Sequence, residues 1–116
     1  DQDWYVWHVD DGAFADVDPR ATLSARPAGV VWELCVYFDC DSEIDSDGIG
    51  CDSGTSHVLV DGEIEGCCLV TTEGAAQVTL APRCTGIDDS GRVYARVSRQ
   101  GGRATCDGYS LSWGDS

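Results

Sequence analysis

Six carboxylates stand within 14 residues of this sequence: Asp39, Asp41, Glu43, Asp45, Asp47 and Asp52. A hard cation such as Ca2+ takes about six to eight oxygen ligands, and alternating carboxylates followed by Gly are how short loops wrap it. Glu43-x-Asp45-x-Asp47-Gly48 matches the opening of an EF-hand loop, with Glu in place of the usual Asp. The twelfth position is Gly54 rather than a bidentate Glu, and no helical pattern flanks the segment, so it is not an EF-hand. Residues 39–54 are therefore expected to form an acidic loop without strand pattern. Those six residues would bind calcium in it, or stand solvated without metal. A Cys40–Cys51 bridge would close the loop and pre-order its carboxylates.

Sulfur is the second chemistry on offer. Seven cysteines occupy positions 35, 40, 51, 67, 68, 84 and 106. There is no CxxC, and the two histidines, His8 and His57, sit beside no cysteine, so zinc spacing is missing. The set of Cys35, Cys40, Cys51, Cys67, Cys68, Cys84 and Cys106 reads as a disulfide framework of an oxidising compartment. The odd count leaves one sulfur as a free thiol or as a bridge to another chain. The neighbours Cys67 and Cys68 are expected to reach different partners. Cys35 with Cys106, and Cys84 with Cys67 or Cys68, are pairings that neighbouring strands would allow.

Nucleophilic catalysis finds little support. Ser56 and His57 are adjacent, which on a strand turns them to opposite faces. No G-x-S-x-G is present. Carboxylate pairs of the kind that cleave glycosides remain an open alternative among so many acids, but the expectation is no enzyme. Among the aromatics, Tyr5, Trp7, Tyr109 and Trp113 fall on core-facing positions, with His8 on the opposite face. Trp4, Tyr37 and Tyr94 have the opposite parity. Where exposed, they would form a platform for sugar rings or a protein partner; otherwise the other sheet or a loop covers them.

The elements that must position these groups are strands. No stretch shows a 3.6-residue apolar period, while period-two alternation recurs between Gly, Asp and Pro. Strands are expected at Asp3 to Val9, Arg20 to Ala25, Val30 to Phe38, His57 to Val60, Gln77 to Ala81, Arg92 to Ser98 and Tyr109 to Trp113. Asp11-Gly12 and Asp61-Gly62 supply turns. Seven to eight short, evenly spaced strands in 116 residues imply a single all-β domain, 1–116, built as a two-sheet antiparallel sandwich.

Composition narrows the partners. The net charge is −14, and all seven basic residues are Arg. Such acidity repels phosphate backbones and anionic bilayers, so nucleic acid is excluded as a partner. No apolar run approaches the roughly 20 residues of a membrane span. The missing methionine, even at position 1, implies a chain processed or cut from a longer one.

Four segments together resemble a known family. Asp1-x-Asp-Trp-Tyr-x-Trp-x-Val9 is similar to the first strand of bacterial pre-peptidase C-terminal domains. Gly29-Val-Val-Trp-Glu-Leu-Cys-Val-Tyr37 resembles their aspartate-leucine strand, with Glu33 in the acidic position. Gly91-Arg-Val-Tyr-Ala-Arg-Val97 and Gly108-Tyr-Ser-Leu-Ser-Trp113 resemble their last two strands. The cysteine-rich form resembles versions in secreted proteins of myxobacteria and their relatives. The resemblance implies a jelly-roll-like sandwich that serves exported proteins as a non-catalytic accessory module, in some cases binding calcium or extracellular polymers.

Two roles follow, both extracellular or at the cell surface. One is a structural subunit of a filament or surface layer, partnered by copies of itself or other extracellular proteins. One short domain forming the whole chain, the left-over sulfur and lendable strand edges motivate it, Asp3 to Val9 being the strand best placed to be lent. The other is an accessory Ca-dependent module of a secreted hydrolase that binds polysaccharide or protein.

Overall fold

In the computed structural model every element among the described residues is a β-strand. It describes residues 2–9, 19–25, 31–40, 44–51, 55–60, 64–72, 75–84, 91–100 and 109–115, without the side chains of 2, 25, 44–48, 57–60, 82–84, 100 and 115. The described residues form nine strands in order: β1 Gln2–Val9, β2 Pro19–Ala25, β3 Val31–Cys40, β4 Ile44–Cys51, β5 Ser56–Val60, β6 Ile64–Thr71, β7 Ala75–Cys84, β8 Gly91–Gln100 and β9 Tyr109–Asp115. No helix among the described residues is long and apolar enough to cross a membrane.

The strands form a five-stranded sheet, β1-β8-β3-β6-β5, and a four-stranded sheet, β4-β7-β2-β9, with every pairing antiparallel. The pairing has a simple logic. β2 pairs with β9, β3 with β8, β4 with β7 and β5 with β6, which are the rungs of one long hairpin. Alternate rungs lie in opposite sheets, so the hairpin is rolled up, as in a jelly roll. The ladders β2·β7 and β3·β6 close the two sheets. The all-β, disulfide-stapled, jelly-roll-like sandwich expected from the sequence is the architecture found.

Period-two alternation explains the core between the sheets. Trp32, Leu34, Val36 and Phe38 of β3 point inward, with Val93 and Val97 of β8, Cys67 of β6, Ala21 and Leu23 of β2, and Ala76, Val78 and Leu80 of β7. Phe38, Leu34, Leu23 and Leu80 are fully buried. Burying such a side chain contributes roughly 1.5–3 kcal/mol. β3 is buried on both faces through most of its length because it lies mid-sheet and its outward residues are covered too.

Two strands depart from expectation. The acidic segment 39–54 is not a loop throughout: Asp39 and Cys40 end β3, and residues 44–51 form β4. Its ladder with β7 is interrupted, Ile44 facing Cys84 while Ile49 already faces Pro82, the signature of a bulge. Pro82 has no N–H to give to the ladder, and the Ile49 N–H donates to Glu65 Oε2 at 3.0 Å, across the core from β6. That bond explains an acidic residue on an inward-facing position. β6 is the other addition, a central strand whose Gly66-Cys67-Cys68 centre shows little alternation in the sequence.

Candidate functional site

The two disulfides with described geometry diverge from adjacent residues. Along β6, Cys67 points into the core and Cys68 points out. Cys67 bonds Cys51 of β4 and so ties one sheet to the other. Cys68 bonds Cys35, its direct partner in the β3·β6 ladder, on the outer face of the five-stranded sheet. The neighbours thus reach different partners, as expected. Three proposed pairings are corrected: Cys51 takes Cys67 rather than Cys40, Cys35 takes Cys68 rather than Cys106, and Cys84 reaches neither Cys67 nor Cys68. The pairings failed because register decides which positions meet. Cys40 is disulfide-bonded as well; the side chain of Cys84 and all of Cys106 lie outside the described residues.

Outward positions of β1, β8, β3 and β6 come into register around the Cys35–Cys68 bond. One row runs Trp4, Arg96, Cys35, Cys68, and the next runs Val6, Tyr94, Tyr37, Gly66. Trp4, Tyr37 and Tyr94 therefore share this face, as their parity implied. Their exposure differs. Trp4 is 51% exposed and Tyr37 only 3%, with Tyr94 between them. The platform reading of Tyr37 is corrected: the phenol is a buried support, packed with Cys35, Cys68, Ile64 and Tyr94. Gly66 makes room for it, since a Cβ there would run into the Val36 carbonyl and stand 2.6 Å from the Tyr37 ring. Burial raises the Tyr37 pKa above its usual value, the Arg96 charge opposing the rise and the Glu33 charge adding to it.

Trp4 rests on this support. Its ring stacks on Tyr37 with centroids 5.8 Å apart, and the Arg96 guanidinium lies 5.9 Å from its centroid. Arg96 is held in turn by Glu33, with Nη2 donating to Oε1 at 2.6 Å, and by a contact of 3.0 Å to Cys35 Sγ. Ser98 Oγ donates to the same carboxylate oxygen at 3.5 Å. Sequence reasoning missed Glu33 and Arg96 as site residues, and placed Cys35 and Cys68 in the disulfide framework without pairing them with each other. Their shared parity with Tyr37 and Tyr94 was visible in Glu33-x-Cys35-x-Tyr37 and Tyr94-x-Arg96, but the register joining the strands was not.

Ligand atoms of Glu33, Cys35 and Cys68 all lie within 4.8 Å of one another. They do not make a metal centre in this state, because the two sulfurs are bonded to each other and offer no thiolate. Of the six carboxylates proposed for calcium, Asp39 alone has a described side chain. Asp39 is exposed at the end of β3, opposite Arg92 in the ladder, while Asp45 and Asp47 belong to the bulged part of β4 in the other sheet. The side chains of Asp45 and Asp47, and all of Asp41, Glu43 and Asp52, lie outside the described residues.

A second aromatic group closes the side of the sandwich where the edge strands β1 and β9 meet. Trp7 stacks on Trp113 at 5.1 Å, Tyr5 lies 6.3 Å from Trp113, and Trp32 meets Tyr109 edge-on at 5.5 Å. The Tyr109 hydroxyl donates to Asp3 Oδ2 at 2.6 Å and also meets the Tyr5 hydroxyl. Burial first, and then these bonds, push the Tyr109 pKa strongly upward. Trp113 is 50% exposed, although it points to the core side. It lies on an edge strand, where the inward direction opens to solvent.

Fold and face together define a disulfide-stapled antiparallel β-sandwich with a supported aromatic on one outer face. Compared with family models, curated proteins and solved structures, the chain matches none.

Proposed function

We propose that this chain is a non-catalytic structural subunit of an extracellular filament or surface layer, in which β1 of one copy completes the sandwich of the next. The observation that carries the reading is the position of β1. It is an edge strand, paired with β8 alone over its whole length, from Gln2 opposite Ser98 to Val9 opposite Gly91. Its inward residues Tyr5, Trp7 and Val9 pack against the core and complete it beside β9. A strand that fills a core slot in its own chain fits the same slot in another, at little cost in contacts. Residues 10–18 link β1 to β2, and nine residues reach about 30 Å when extended, enough to cross to a neighbour. Disulfides favour an oxidising compartment, and an odd number of cysteines leaves a sulfur for a bond between chains.

The test is a lock. Val6 and Tyr94 face each other on the outer side of β1 and β8, so V6C/Y94C would bond β1 to its own chain. Light scattering and electron microscopy should show assemblies for the unmodified chain and 12.4 kDa monomers for the oxidised variant. Monomers of the unmodified chain at every concentration would contradict the reading.

A second reading, the accessory module of a secreted enzyme, is favoured by the exposed Trp4, Val6 and Val70 on the outer face. The resemblance to pre-peptidase C-terminal domains supports it.

A further inference from the structure

We infer that the outer face of the five-stranded sheet binds an uncharged polysaccharide, one sugar ring stacking on Trp4 while its hydroxyls bond the Arg96–Glu33 pair. This rests on the module reading and names its ligand class.

Support for Trp4 is the first argument. An exposed indole normally loses rotamer freedom when it binds, which weakens the contact. Here Tyr37 and Arg96 already hold the ring, while half of its surface stays open. The apolar CH face of a pyranose stacks on such a ring as another flat apolar surface would.

Fixed polar groups beside the ring are the second. Arg96 and Glu33 remain 22% and 20% exposed, so a guanidinium donor and a carboxylate acceptor stand at known positions next to the indole. Sugar hydroxyls both donate and accept, and match such a pair.

Charge then selects the class. The chain carries −14, yet among the described residues the charged side chains of β3 and β8 facing outward here are Arg92 and Arg96 against Asp39 and Glu33. An anionic polymer would meet the repulsion of the whole chain, and a cationic one would feel its general attraction but find the described outward charges balanced, with no acidic excess among them to fix it on this face. A protein partner is disfavoured by the division of the apolar surface. Trp4 and Val6 on β1 are separated from Val70 on β6 by the ion pair, which a standard interface of about 800 Å² per side would have to desolvate. A polysaccharide one ring wide avoids that cost.

Affinity electrophoresis of the full chain through gels containing laminarin, barley β-glucan, xyloglucan, mannan or glycol chitin tests this, with alginate as the anionic control and immobilised collagen as the protein control. At least one uncharged polymer should retard the chain, and W4A should weaken the retardation about tenfold, the effect of losing one aromatic stack. W113A, which removes a Trp of equal exposure elsewhere, should retain it. Thermal melting confirms that both variants are folded, and W4Y should restore part of the binding. Retardation unchanged in W4A, equal retardation by alginate, or no retardation by any uncharged polymer would overturn the inference. Binding to collagen alone would overturn it while leaving the module reading in place. Binding to nothing would remove both.

Discussion

Removing the bond between the sheets is the perturbation whose outcome follows most directly from the structure. In C51A/C67A the disulfide that ties β4 of the four-stranded sheet to β6 of the five-stranded sheet is lost. The bond closes a loop of 16 residues. The chain-entropy relation gives about 3 kcal/mol for a loop of that length at 25 °C. The same relation gives about 4 kcal/mol for the 33-residue separation closed by Cys35–Cys68. The two variants should therefore differ by less than about 1 kcal/mol, with C35A/C68A the weaker protein, although its strands are already hydrogen-bonded neighbours. Replacing both cysteines of a pair leaves no unpaired thiol from that pair. For a domain of this size the loss in C51A/C67A lowers Tm by about 12 °C. Urea unfolding monitored by Trp fluorescence measures the difference in free energy. A loss below about 1 kcal/mol in C51A/C67A would refute the reasoning, because the sheets would then be held together without the staple.

Four further outcomes are expected. F38A should cost about 3–5 kcal/mol in urea unfolding, because the ring is fully buried at the centre of the core. G66A should destabilise by about 1–3 kcal/mol or more, since the added methyl meets backbone and the Tyr37 ring; a neutral result in the same assay would contradict the close approach. R96M should cost about 1–2 kcal/mol by leaving Glu33 without its counter-charge, and the loss should shrink in E33Q/R96M, a double-mutant cycle that isolates the pair. Stability should fall at high pH: the folded pKa values of Tyr37 and Tyr109 lie above 10, so the neutral phenols favour folding fully below pH 10, and that contribution is lost as pH rises beyond it. Y37F should flatten the alkaline part of a pH–Tm profile.

Particular residues show which parts of the fold were legible. β1, β2, β3, β7, β8 and β9 announce themselves because each alternates apolar and polar residues, or, in β3, runs apolar on both faces as a central strand does. β4 did not, because Asp45-Ser46-Asp47-Gly48 has the composition of a loop and the strand is interrupted there by its bulge. β6 did not, because two cysteines and a glycine at its centre hide the alternation. The parity of Trp4, Tyr37 and Tyr94 was legible, and it placed them on one face. Burial of Tyr37 and exposure of Trp113 were not, since each depends on which strand lies at an edge and which is covered. The same reason hid the disulfides, as pairing is a property of register between distant segments.

Peptide mapping without reduction tests the central claim, that adjacent cysteines on β6 hold both the sheet and the sandwich. Cleavage after Glu separates residues 34–43, 44–63 and 66–73, which carry Cys35 with Cys40, Cys51, and Cys67 with Cys68. The structure requires 66–73 to be bonded to both of the other peptides at once, through Cys68 to Cys35 and Cys67 to Cys51. A Cys67–Cys68 bond, a Cys40–Cys51 bond, or 66–73 released alone would contradict the strand register and, with it, both the sandwich and its outer face.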